Sequence, residues 1–127
     1  MTLKVVDASA AAALLFGEPE AEIVAARLDG AELRAPSLLP FEVASVAWKK
    51  IRIHRRSREA ILAAFDLLPR LRIEPAACDL AAVLLLASES GIAVYDAAYL
   101  WLARELNAEL VTLDRKLEAA AGARVSK

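Results

Sequence analysis

The chain has 127 residues, 58% of them hydrophobic, with 16 Lys and Arg against 17 Asp and Glu for a formal net charge of −1. That length suits one domain spanning residues 1–127 that buries a core without metal or disulfide staples, and the apolar, alanine-rich composition excludes a disordered chain. The near-neutral balance excludes long-range attraction to nucleic acid or anionic membrane, so any such attraction must be local, and a single cysteine, Cys78, excludes an internal disulfide and points to a reducing compartment.

Leu3 to Val6 reads as a short buried strand, and Ser9 to Phe16 as an apolar helix ended by Gly17 and Pro19. The uncharged run from Ala8 to Gly17 is the longest and falls short of the roughly 18 residues of a membrane span. Asp7 and Glu18 bracket it and only Lys4 precedes it as a base, so the expectation is a cytoplasmic protein with no targeting segment. Glu20 to Leu28 is a second helix, closed by Asp29-Gly30, and Glu32 to Ala35 a brief strand. Pro36-Ser37 opens a long helix to about Ile53, with Pro40 tolerated in its first turn.

Arg58 to Leu68 is the next helix, and Leu71 to Glu74 a strand. Pro75 and Asp79 lead into an apolar helix that Gly91 stops near Ser90, and Ile92 to Val94 is too short to assign. Asp96 starts a helix reaching Asn107, Glu109 to Leu113 is a strand, Arg115 to Ala120 a short helix, and Ala123 to Val125 a possible last strand. Strands alternate with helices and lack period-2 alternation, as expected when both faces are covered. The predicted fold is therefore α/β, a three-layer α/β/α sandwich around a parallel sheet.

Within that fold the placement of four carboxylates is informative. Asp7 follows the first strand, Asp114 follows LVTL, and Asp96 follows GIAVY and opens a helix. Residues just past parallel strands collect at the carboxyl edge of the sheet, where such folds bind ligands. Glu42 falls in the middle of its helix, and three of its neighbours at three and four residues, Leu38, Leu39 and Val46, are apolar, so it faces partly inward. The plainer readings are helix capping for the three aspartates and an ion pair with Lys49 for Glu42. If the four converge, repulsion raises their pKa values unless a cation sits among them, and hard oxygen donors without a Cys/His cluster point to Mg²⁺ or Mn²⁺. Ser9 and Thr112 lie two residues from Asp7 and Asp114, placed to hold a carboxylate or a metal-bound water, or simply to make turn hydrogen bonds.

Four segments, VVDASAAAALLF, APSLLPFEVASVAWK, YDAAYLWLARELNAELVTLD and its extension LDRKL, carry these residues in an order and spacing that resembles a PIN domain, specifically the toxin of a VapBC-type toxin–antitoxin pair. The resemblance runs nearly end to end. It implies a metal-dependent endoribonuclease in which Asp7, Asp96 and Asp114 hold Mg²⁺ or Mn²⁺ or its bound waters. Glu42 is then a further ligand or orients the attacking water, and Ser9 and Thr112 stand at the family's hydroxyl positions. It also implies an RNA substrate, a homodimer, no membrane, and a small VapB-type antitoxin that wraps the toxin and blocks its site.

Two rivals stand beside this reading. One is a phosphatase or phosphotransfer domain with Asp7 as nucleophile. A haloacid-dehalogenase-type phosphatase, however, wants an Asp where Ser9 stands. The other is a PIN-like interaction module without catalysis, which the presence of all four acids disfavours.

The basic run KKIRIHRRSR contains Lys49, Arg52 and Arg55 as candidates for RNA phosphates, or as the solvated end of a helix. Arg115 and Lys116, beside Asp114, are better placed for a scissile phosphate. His54 reads as solvated, and no motif supports a triad with Ser9. Cys78 reads as buried and inert. Phe41, Trp48, Phe65, Tyr99 and Trp101 are mostly core candidates, and the apolar helices from Leu80 and from Asp96 supply core or a dimer interface.

Overall fold

The structure, a computed structural model, describes residues 2–123. Strand β1 (Thr2–Val6) leads into α1 (Ala8–Leu15) and α2 (Ala21–Leu28), then β2 (Ala31–Pro36) and α3 (Leu39–Ile53). A 3-10 turn (Arg55–Ser57) precedes α4 (Arg58–Phe65), and a second (Leu68–Leu71) precedes β3 (Ile73–Ala76). The chain continues through α5 (Leu80–Ser90), α6 (Val94–Glu105), β4 (Glu109–Val111) and α7 (Arg115–Ala123).

The four strands form one parallel sheet in the order β3-β2-β1-β4, flanked by helices as an α/β/α sandwich. The central strand β1 pairs Val5 with Arg34 and Leu110, and Val6 with Val111. Val5, Val6 and Val111 are fully buried, which is why these strands read as continuous apolar runs. Helix α6 packs on β1, β2 and β4 and is itself covered by α5, while α1 lies against α2 and α3. Four consecutive alanines of α1, Ala10 to Ala13, are buried, their small side chains permitting close approach. At the start of β4, Glu109 takes ion pairs from Lys4 and Arg27, whose charges hold its carboxyl below the usual range. Gly17, Gly30 and Gly91 close α1, α2 and α5 with positive φ, a geometry L side chains resist.

Several expectations need correction. Pro36 ends β2 and Pro75 lies inside β3 rather than each leading into a helix. β3 is an edge strand, where a residue without an N–H breaks no ladder. Helix α3 begins at Leu39, so Glu42 belongs to its first turn and not its middle. Helix α6 begins at Val94, two residues before Asp96. Phe41 and Trp48 are exposed, whereas Tyr99 is buried as expected and Phe65 and Trp101 are half-buried. Of the two apolar helices, α6 is spent on the core. Helix α5 buries Val83 and Ala87 but leaves Leu80, Leu84 and Leu85 exposed. Of the possible strand at 123–125, residue 123 ends α7 and the rest lies outside the described residues. Among the described residues no single helix is long and apolar enough to cross a membrane.

Candidate active site

All four acids stand at the amino ends of helices. Asp7 caps α1, its Oδ1 accepting from the Ala10 N–H at 3.0 Å. Asp114 caps α7 in the same way, its Oδ1 accepting from the Leu117 N–H at 3.0 Å. Glu42 is in the first turn of α3 and Asp96 in the first turn of α6. Helix amino ends carry partial positive charge, so each is a favourable place for a carboxylate. For Asp7 and Asp114 the capping reading is thus correct, and it leaves each carboxylate with lone pairs to spare.

The Asp7 side is closely bonded. Asp7 is only 5% exposed. Its Oδ1 also accepts from the Ser9 hydroxyl at 2.7 Å, and its Oδ2 accepts from the Thr112 hydroxyl. Thr112 Oγ1 in turn accepts from the Asp114 N–H at 3.0 Å, and Ser9 Oγ from the Leu113 N–H at 2.9 Å. The two hydroxyls therefore tie the end of β1 to the loop after β4. On the other side the support is thinner. Tyr99, buried on α6, donates its hydroxyl to Glu42 Oε1 at 2.6 Å. Lys49 is exposed and makes no ion pair with Glu42.

The acids feel one another. Burial pushes the Asp7 carboxyl up against the opposing hydrogen bonds of Thr112, Ser9 and Ala10, and the Asp114 charge adds to the rise. Burial also raises Glu42, opposed by Tyr99 and reinforced by Asp96 and Asp7. Asp96 is raised by burial and by the charges of Asp114 and Asp7, with Lys116 opposing. The structure thus brings the four acids into one electrostatic cluster. Tyr99 is the participant that sequence reading took for core only. Its spacing of three residues from Asp96 places it on the same face of α6 and was the available signal.

The donor set is the chemistry Mg²⁺ or Mn²⁺ takes: carboxylate oxygens and hydroxyls, with no thiol or imidazole. Among the described residues no three such groups form a ready-made metal cage. Repulsion keeps metal-free carboxylates apart, and an ion that retains several waters needs no cage. On this test the residues fit a hard divalent cation in an open site.

Arg115 and Lys116 lie exposed in the first turn of α7, beside Asp114. Lys49 and Arg52 are exposed on α3, and Arg55 is exposed in the turn that follows; Lys49 shares a groove with Glu42, while Arg52 and Arg55 lie further along the chain from the acids. His54 shares a small cavity with Phe16, Lys50 and Ser57 at the far end of α3, while Ser9 is bonded to Asp7, so the two build no triad. Cys78 is half-buried, and burial pushes its thiol up, away from the reactive thiolate. A cavity of 690 Å³ under Pro36, Leu39, Phe65 and Ile73 contains none of the four acids, so the acids and not a cavity locate this site.

Residues 4–123 match the PIN domain family. The chain is 37% identical over 118 residues to ribonuclease VapC3 of Pyrobaculum aerophilum, covering 89% of this chain and 90% of that protein. It also resembles the crystal structure of the protein PAE2754 from Pyrobaculum aerophilum, with a TM-score of 0.76 and 27% identity over 94% of this chain and 84% of that one.

Proposed function

Because this chain belongs to the PIN domain family, we propose that it is a VapC-like toxin ribonuclease that cleaves RNA internally with a bound Mg²⁺ or Mn²⁺ and is silenced by a small VapB-type antitoxin. The observation that carries this reading is the placement of Asp7, Glu42, Asp96 and Asp114 at the amino ends of four helices, with Asp7 held by Ser9 and Thr112, Thr112 bonded to the Asp114 N–H, and Glu42 held by Tyr99.

Asp7, Asp96 and Asp114 would hold the ion, with Glu42 as a further ligand or as the group that orients the attacking water. When bound, a divalent cation supplies a water of lowered pKa and neutralises charge on the phosphate and the leaving oxygen. Ser9 and Thr112 fix the Asp7 carboxylate and, with the Ala10 N–H, leave one lone pair on Oδ2 outside the hydrogen-bond lattice. A raised Glu42 is a better proton acceptor than an ordinary carboxylate, and Tyr99 holds it in one orientation. Lys116 and Arg115, exposed beside Asp114, meet the scissile phosphate. As a nucleophile, Asp7 is poorly placed. It is buried with both oxygens accepting hydrogen bonds, which leaves a lone pair for a bare cation but no approach for phosphorus with its substituents. For the homodimer we propose the exposed leucines of α5, and for its place in the cell the cytoplasm.

The deciding experiment assays the purified full chain and Asp96→Asn, free of any partner, on structured RNA with Mg²⁺, with Mn²⁺ and with EDTA. Cleavage that needs metal and falls at least about 100-fold in the variant is the expected result. Equal cleavage by both proteins would mean a contaminating nuclease. Tight Mn²⁺ binding without turnover would mean an interaction module.

A further inference from the structure

Two of the four acids are each preceded by an exposed aromatic ring: Phe41 before Glu42 and Tyr95 before Asp96. Phe41 is 81% exposed and Tyr95 65%. Both line one open groove of 520 Å³, whose other walls include Glu42 and Lys49. The groove thus begins at a catalytic carboxylate and ends at a cation. Beyond it, Phe41, Ser45, Trp48 and Arg52 recur at the four- and three-residue spacing of a single helix face, and all are exposed. Trp48 is 56% exposed, and the Arg52 guanidinium lies over its ring, 4.7 Å from the centroid. From Phe41 to Arg52 this stripe runs roughly 16 Å along the helix, enough for a few nucleotides.

Resting on the ribonuclease reading above, we propose that the exposed face of α3, completed by Tyr95 of α6, is a stacking platform for single-stranded RNA. The base next to the scissile phosphate seats against Phe41 and Tyr95. A later base meets Trp48, and Lys49 and Arg52 take the intervening phosphates. Aromatic faces interleaved with cations are the recurring solution for single strands, because every base has a π-face and every linkage a charge. A protein partner fits this face less well. Lys is depleted from the cores of protein interfaces, yet Lys49 lines the groove itself. The aliphatic, uncharged leucines of α5 offer a protein partner a better surface. Stacking here also gives the enzyme a means of choosing its cleavage site that the acids alone lack, since the acids contact only what all RNA shares.

The test uses the full chain carrying Asp96→Asn, with Mg²⁺ present, so that RNA binds without being cut. Fluorescence anisotropy compares a short single-stranded RNA with the same ribose-phosphate strand lacking bases. The proteins are this chain unchanged, with Phe41→Ala and Tyr95→Ala together, with Trp48→Ala, and with Phe41→Trp. The expected result is RNA binding weakened on the order of 10- to 100-fold by loss of a ring, little change for Phe41→Trp, and weak binding of the baseless strand to every protein alike. Quenching of Trp48 fluorescence by the RNA and not by the baseless strand is expected as well. Equal RNA affinity in all variants, while the chain with native Asp96 still cleaves RNA with metal, overturns the platform and leaves the ribonuclease reading intact. Failure of the native chain to bind or cleave any RNA overturns both. If the alanine variants weaken binding only by converting a dimer to a monomer in sedimentation, the face is a contact between copies of this chain and the platform is wrong.

Discussion

The two sides of the acid cluster are built differently. Asp7 and Asp114 are locked by two hydroxyls and a set of backbone N–H groups that join β1, β4, α1 and α7. Glu42 and Asp96 stand in the first turns of α3 and α6, and among the described residues their carboxylates take one side-chain hydrogen bond, from Tyr99 to Glu42. Both sides carry carboxylates raised by burial and by each other. What differs is how much of the geometry the hydrogen bonds already settle. The Asp7 side is preorganised, whereas the Glu42 side keeps room to adjust, and the exposed aromatic residues adjoin that adjustable side.

The largest expected effect tests whether this contrast is real. Lengthening Asp7 by one methylene, Asp7→Glu, pushes its carboxylate out of a lattice of three hydrogen bonds in a buried space. RNA cleavage should fall by about 100-fold or more, as if the charge had been removed. Asp96→Glu moves a carboxylate that no such lattice confines, and about a tenth of the activity or better should remain, with more metal needed. Equal losses in the two variants, measured as kcat/KM on one RNA, would abolish the distinction between the two sides.

A smaller effect sharpens the contrast through the supporting hydroxyls. Thr112→Val keeps the shape of a fully buried side chain but leaves Asp7 Oδ2 and the Asp114 N–H without their partner. A loss of about 1–3 kcal/mol in denaturant unfolding and about 10- to 100-fold in metal affinity is expected. Tyr99→Phe frees one oxygen of a half-exposed Glu42, which water can reach, so the stability cost should stay near 1 kcal/mol. Isothermal titration with Mn²⁺ alongside urea unfolding measures both quantities. A Tyr99→Phe variant as damaged as Thr112→Val would mean that the Glu42 side is as rigid as the Asp7 side.

The same contrast governs what a reader of the sequence could see. Asp7 and Asp114 were read as following strands directly, so the rule that parallel strands present their carboxyl ends to a ligand placed them together, although the last strand, read as Glu109 to Leu113, ends at Val111. Glu42 and Asp96 sit within helices, and their registers had to be found from neighbours. One was put in the middle of its helix because Pro36 and Ser37 look like a helix start, when Pro36 completes an outer strand pairing instead. Tyr99 was hidden by its own burial, since a core tyrosine and a tyrosine whose hydroxyl reaches a carboxylate look alike until the helix is wound. Helices α5 and α6 have similar apolar composition, and composition does not say which lies on the sheet. Phe41 and Trp48 were misplaced for the same reason: apolar type predicts burial on average, and these two rings stand exposed.

The smallest effect concerns the metal-free cluster and pH. Asp7, Glu42 and Asp96 all have carboxyls raised in the folded chain, so folding favours their protonated forms. Their contribution is fully favourable below the unfolded values, 3.8 for Asp and 4.5 for Glu, and is lost as pH rises through the raised folded values. Glu109 shifts the opposite way, so the whole-protein curve mixes the two. The difference between a variant and the parent isolates the cluster. With EDTA present, Asp7→Asn and Asp96→Asn should each melt above the parent near neutral pH, and the gain should vanish toward the acid end of the window. Salt then separates the two sides. For Asp7, burial leads and a single neighbouring charge comes last. For Asp96, burial also leads, but two like charges follow, and screening weakens these. Added salt should therefore shrink the Asp96→Asn gain and leave the Asp7→Asn gain nearly intact, and an identical salt response would show that the two carboxylates share one environment.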